Sequence, residues 1–302
     1  MKLNRLGYII AGSLIALGLN SCNKESVSPE ESQYPITFGE LSTRSSAALD
    51  DVKADGFKVY AYLEGNTDKS TTFEKEVYYK SSENVWWYEG LQYWIPETNY
   101  SFKAFYPKSF TAGTLTVDNS SSSQSYSVTK FDITKQEDIM VASASASVPA
   151  DALCPASGYV VNLTFQHLLA CVVVELKTEI DAVSVTSVKL SDVMNYATFA
   201  DGHWDSTNTA SVAYTGETVL SKSPDYVDVT GGGILVVPGS INGVTLTISA
   251  NKEYTVTIPP ISWEGGKKYT YTGVIKQNDI IFNEPGVKLW DSDSATGSVI
   301  IK

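Results

Sequence analysis

The residue whose chemistry stands out most is Arg44. The only other arginine in the chain is Arg5, and the remaining basic residues, two histidines aside, are all lysines. A guanidinium, with its planar fork of donors, is chemically distinct from an ammonium. A trypsin-like protease restricted to arginine therefore meets one bond beyond the N-terminal segment, Arg44–Ser45. Cutting there detaches a short strand-like stretch in which Ile36 and Phe38 alternate with Thr37 and Gly39. The competing reading is that composition alone emptied the chain of arginine.

Other reactive side chains do not assemble into a catalytic pattern. There is no nucleophile elbow, HExxH, phosphate-binding loop or dinucleotide glycine fingerprint, so an enzyme is not expected. Aspartate and glutamate are plentiful, but nothing selects a catalytic pair. His167 and His203 show no metal-ligand spacing with the cysteines, so neither metal nor cofactor is expected. His167 reads as a hydrogen-bonded core or boundary histidine, and His203 sits in the turn-like ADGHWD. Cys154 and Cys171 are read as two unpaired thiols, because Cys171 lies in a buried-strand pattern and Cys154 in the loop-like ALCPASG. The tryptophans Trp86, Trp87 and Trp94 offer a different chemistry, stacking on sugars. Strand alternation puts Trp86 and Tyr88 on one face and Trp87 on the other, so at least half of that cluster is expected in the core.

The start of the chain carries an export signal. Lys2 and Arg5 precede an apolar run from Leu6 to Leu19 of about 14 residues, short for a membrane span. Leu19-Asn20-Ser21-Cys22 then resembles the lipobox of bacterial lipoproteins. That resemblance implies a signal peptide over 1–21, cleavage before Cys22, acylation of Cys22, and an outer-membrane anchor through the lipid. The polar stretch 23–33 reads as a tether. The formal charge of the 302-residue chain is −12. Residues 1–44 hold four basic groups (Lys2, Arg5, Lys24, Arg44) and four acidic ones (Glu25, Glu30, Glu31, Glu40), so their loss leaves it unchanged. A nucleic-acid partner is not expected for so acidic a protein.

The elements that must position these residues are strands. Beyond Ser45 the pattern is of short strands separated by Gly, Ser, Asn and Asp turns, without long helical periodicity, and the fold is expected to be all-β. FKVYAYL (57–63) alternates, EVYYKSSENVWWYE (76–89) reads as a hairpin, and YSFKAFYP (100–107) ends at a proline. Further strands are expected at 138–144, 159–177, 185–191, 226–229, 233–237, 243–249, 253–258 and 267–277. The lapse into small residues between Ser145 and Gly158 suggests a domain boundary, giving an N-terminal domain over 45–158 and a C-terminal one over 159–302. The run after His167 is almost continuously apolar, as in a strand buried on both faces.

After residue 277 a tail remains that is too apolar for disorder. Ile280 and Phe282 share one face of an extended chain, as do Val287 and Leu289, and Val299 and Ile301 repeat the spacing. The tail 279–302 is thus a candidate donor strand for another subunit. The alternative is that it completes the second domain.

Taken in order, ITF and STR (36–44), FKVYAY (57–62), WWYEG to YSFKAFYP (86–107), DIMVA (138–142), VNLTFQHLLACVVVEL (161–176), ILVVP (234–238), WEGGKKYTYTGVI (263–275) and VKLW (287–290) resemble the fimbrillin (Mfa-like) family of Bacteroidia. The resemblance implies two transthyretin-like β-sandwich domains in a lipoprotein precursor of a type V pilus. It also implies that an arginine-specific protease removes the first strand, with Ile36 and Phe38, and that a terminal strand of the next subunit fills the groove. The expected role is then a stalk or tip subunit with other fimbrial subunits as partners, supporting adhesion to a host or bacterial surface receptor. The alternative is a surface lipoprotein that binds glycan through Trp86, Trp87 and Trp94 without polymerising.

Overall fold

In a computed structural model the described residues are 33–42, 46–65, 72–277 and 279–290. The fold is all-β, with one short helix, Ser46–Asp55, and a single 3-10 turn, Ile133–Lys135, among them. None of the described helices is long and apolar enough to cross a membrane.

Two clusters of buried side chains organise the strands. The first lies on the inner face of a six-stranded sheet whose central strands are Phe57–Glu64, Thr98–Tyr106 and Met140–Val148. Their alternation is the one the sequence shows: Phe57, Val59, Ala61 and Leu63 point inward, while Lys58, Tyr60 and Tyr62 are only half-buried. Thr72–Lys80 and Val85–Trp87 form the expected hairpin at one edge. A separate two-stranded ribbon, Thr37–Ser42 parallel to Val160–Thr164, contributes Phe38, Leu41, Val161 and Leu163 to this core.

The second cluster joins the inward faces of two further sheets. Ala170–Thr178 runs parallel to Lys267–Ile275 in one, and Val183–Asn195 lies between Asn208–Leu220 and Thr245–Ser249 in the other. Ala170–Thr178 is buried along nearly its whole length, as its continuous apolar run requires.

The division between the clusters falls between Phe165 and Leu169 rather than after Gly158. Val160–Thr164 stays with the first core because it is the partner of the first strand. The two halves also interlock. Thr114–Asp118 and Ser125–Phe131 form one sheet with Ala197–Ala200 and His203–Asp205, and Val128, Phe131 and Ile133 belong to the second core. His203 thus opens a short strand after the Asp201-Gly202 turn.

The helix Ser46–Asp55 departs from the expected run of strands. Its apolar contribution is small, with Val52 buried and Leu49 half-buried, and it ends where Gly56 takes φ +77° and donates its N–H to the Val52 carbonyl at 2.8 Å. Only glycine fits there, since an added Cβ would lie 2.4 Å from the Val77 carbonyl oxygen.

Candidate functional site

The first strand lies in an apolar groove of the first core. Ile36, Phe38 and Leu41 are 0%, 4% and 6% exposed. Phe38 meets Phe57, Tyr88 and Phe102 edge-on, with centroids 5.6, 5.8 and 6.4 Å apart. At about 1.5–3 kcal/mol for each buried side chain, the three together contribute roughly 5–9 kcal/mol of apolar burial.

Backbone pairing holds this strand less completely. Its ladder to Val160–Thr164 is parallel and its register breaks between Phe38 and Leu41. On its other side, the Ile36 N–H donates to the Gln92 carbonyl at 2.8 Å, the Trp94 N–H to the Tyr34 carbonyl at 3.0 Å, and the Tyr88 hydroxyl to the Ile36 carbonyl at 2.8 Å. Burial pushes the Tyr88 phenol pKa up, against a lowering by the Gln92 backbone N–H, so it stays a donor. The Thr37 hydroxyl is buried with no hydrogen-bond partner among the described residues, a cost of about 1–3 kcal/mol. Gly39 sits against the neighbouring strand so closely that an added Cβ would lie 2.3 Å from Val160 Cγ1.

Cys22, Arg44 and Ser45 lie outside the described residues, as do Val299 and Ile301. Arg44 falls in sequence between Ser42, the last residue of the first strand, and Ser46, the first of the helix.

Trp86 is half-buried against Phe57 and Tyr79, with centroids at 5.3 and 5.0 Å. Trp87 is exposed on the opposite face, tilted on Tyr78 and with Lys80 Nζ 5.1 Å from its ring. Trp94 is buried in the first core, its indole N–H donating to the Tyr159 carbonyl at 3.0 Å. The three tryptophans therefore share no exposed face on which a sugar could stack.

The described part of the tail, 279–290, lies on its own domain. Ile280–Phe282 and Gly286–Leu289 both pair antiparallel with Lys267–Ile275, forming an edge interrupted at Asn283–Pro285. Ile280, Phe282 and Val287 pack partly against the second core, while Leu289 is exposed. Trp290 donates its N–H to the Gly266 carbonyl and stacks on His167 with centroids 3.9 Å apart. His167 is buried, and its Nδ1 lies 2.6 Å from Asp138 Oδ2, a hydrogen-bonded boundary role.

Cys154 and Cys171 are not bonded to each other. Cys171 is in no disulfide and contacts the Gly232 carbonyl through Sγ at 3.6 Å. Cys154, against the expectation of two unpaired thiols, is disulfide-bonded. Among the described residues no group of three His, Cys, Asp or Glu side chains could hold a metal ion.

A family model described as fimbrillin-like matches residues 43–290. The chain belongs to the fimbrillin-like family. These are structural proteins, not enzymes, and a fimbria places them at the cell surface. Among solved structures, this fimbrillin-like chain is similar to a fimbrial protein from Bacteroides vulgatus, with 19% identity, 84% of this chain and 99% of that one covered, and a TM-score of 0.54. It is also similar to proposed cell adhesion proteins from Bacteroides uniformis (17% identity, coverage 87% and 99%, TM-score 0.53) and Bacteroides ovatus (14%, 85% and 98%, 0.53). At such identities the likeness concerns the fold. No curated protein matches the chain by sequence.

Proposed function

We propose that the protein is a stalk or tip subunit of a fimbria, and that its first strand is a removable plug. The observation that carries this reading is the contrast within that strand: Ile36, Phe38 and Leu41 are fully buried, while the parallel ladder beside them is broken and a hydroxyl is left without a partner. Such a segment is held by its side chains, so a strand from another subunit with equivalent apolar spacing can replace it. Cleavage after Arg44 by an arginine-specific protease would turn the plug from a covalent part of the chain into a dissociable peptide. The donor would be the tail of a neighbouring subunit, with Ile280, Phe282, Val287, Leu289, Val299 and Ile301 as its apolar positions.

In this reading the precursor reaches the outer membrane as a lipoprotein acylated at Cys22, and fibres meet a host or bacterial receptor after assembly. Mass spectrometry of the membrane-bound precursor checks this, with acyl chains on Cys22 expected.

The deciding experiment is digestion of the purified precursor with an arginine-specific protease. Ladders of oligomers are expected, with chains that begin at Ser45, and Arg44→Ala is expected to remain a soluble monomer. Fibres that begin upstream of Ile36 and retain that strand would defeat the proposal.

A further inference from the structure

The outer face of the first sheet carries a feature that neither the plug nor the tail uses. In Met140–Val148 alanines alternate with serines, and the serines point outward. In register beside them, the outward residues of Thr98–Tyr106 are Asn99 opposite Ser147, Ser101 opposite Ser145 and Lys103 opposite Ser143. The serine-rich loop 120–123 closes over this face. It is held there by Asn119 Nδ2, which donates to the Ala61 carbonyl at 2.8 Å, and by Gln124 Nε2, which donates to the Tyr60 carbonyl at 3.3 Å and to Asn119 Oδ1.

Between loop and sheet lie two adjoining depressions, of about 530 and 470 Å³, that share Ser101, Ser122 and Ser145. The sequence holds 34 acidic residues, yet neither depression is lined by one. The one charge in them is Lys103, partly withdrawn from water. Its ammonium donates to Ser143 Oγ at 2.9 Å and lies 5.6 Å from the Tyr126 ring centroid. It makes no ion pair among the described residues, and Glu74, two strands across in register, is engaged by Lys58. Burial without a counter-ion lowers the lysine pKa, which states the same deficit energetically.

A second, independent deficit points into the same place. Gln124 lines the inner depression, is only 7% exposed, and its Oε1 has no hydrogen-bond partner. A buried acceptor left unpaired carries an uncompensated desolvation cost, which a ligand donor recovers once the Gln124 amide turns toward the depression. The trough thus lacks an anion at Lys103 and a hydroxyl donor at Gln124, and it offers serine hydroxyls, each both donor and acceptor, along its length. We propose that this trough is a binding site for an acidic saccharide, with the sugar carboxylate on Lys103 and the sugar hydroxyls on the serines and Gln124. The site lies apart from the tryptophans and makes no use of them.

The test is a binding titration of the full-length chain with tri-galacturonic acid and, separately, its fully methyl-esterified counterpart, which keeps the hydroxyls and loses the charge. The acid should bind saturably and the ester roughly tenfold or more weakly, the ratio expected for a hydrogen bond to a charged group. Lys103→Met should remove that difference, Lys103→Arg should retain it, and Ser145→Val should weaken both probes. Absence of saturable binding of the acid, equal binding of acid and ester, or acid binding unchanged in both Lys103→Met and Ser145→Val overturns the proposal. None of these readouts requires cleavage or polymerisation, so the result is independent of the fimbrial reading.

Discussion

The first and last described strands are attached to the molecule in opposite ways. Thr37–Ser42, with Ile36 just before it, is anchored by side chains, Ile36, Phe38 and Leu41 being buried, and its one ladder among the described residues is parallel and interrupted. Ile280–Phe282 and Gly286–Leu289 are anchored by backbone, with seven residues in antiparallel register on Lys267–Ile275, while Ile281 and Leu289 are 49% and 42% exposed. A side-chain plug loses most of its stabilisation when its groove is emptied. An edge strand leaves behind a row of unpaired backbone groups, ready to template another strand. In the strand exchange proposed above, the first strand is the one whose removal would open a groove and the last is the one that would be offered to a neighbour.

The largest effect should follow from Phe38→Ala. Removing a ring that meets three others opens a cavity that fixed strands cannot collapse around, and a loss of about 3–5 kcal/mol is expected in urea unfolding of the uncleaved precursor. A loss below about 1 kcal/mol would mean that the first strand is not seated as a plug, and the contrast with the tail would disappear.

Alkaline pH probes the two cores rather than the two strands. Burial pushes Tyr100 in the first core and Tyr271 in the second up to about 12, from an ordinary value near 10. The folded state favours the neutral phenol, so this contribution is complete below pH 10 and is lost as pH rises from 10 through 12. At pH 11 each tyrosine should have forfeited about 1–1.5 kcal/mol. Tyr271→Phe should flatten the fall of stability between pH 9 and pH 11. Its cost at neutral pH is a separate matter, because the Trp263 indole N–H then loses its acceptor at 3.4 Å. Equal slopes in wild type, Tyr271→Phe and Tyr100→Phe would show that these phenols are not held neutral by burial.

Much of this architecture is legible from alternation. The outward serines and lysine and the inward aromatics of 98–106 and 140–148 follow the two-residue period, as does the separation of Trp86 from Trp87. The helix Ser46–Asp55 is not, because Leu49 and Val52 are its apolar contacts and Asp50, Asp51, Lys53 and Asp55 surround them. Asn208–Leu220 is equally quiet in sequence: it is an edge strand in which only Val212 and Leu220 are buried. The interlocking of the halves through Ser125–Phe131 could not be read at all, since pairing across some 70 residues leaves no local pattern. For the plug, the apolar spacing of Ile36 and Phe38 was visible. Its groove was not, because Phe57, Tyr88 and Phe102 come from three separate strands or loops.

The smallest effect on stability, and the sharpest on the comparison, is expected in the tail. Val287 is half-buried and Leu289 exposed, so Val287→Ala combined with Leu289→Ala should cost about 1 kcal/mol or less. Deleting 287–302 removes three register pairs, those on Lys267, Lys268 and Tyr269, and the Trp290 stack on His167, while the buried strands of the second core keep their partners. That truncated subunit should remain a folded monomer, accept a donor into its own groove after cleavage, and end a growing fibre because it has none to give. Mixing it at substoichiometric levels into protease-treated wild type should shorten the fibres. Unfolding of the deletion, or a loss of about 3 kcal/mol from the double alanine change, would instead make the tail a structural part of the second core. Fibres of normal length from the deletion alone would leave the donor to be found elsewhere, with the groove at Phe38 unaffected by that result.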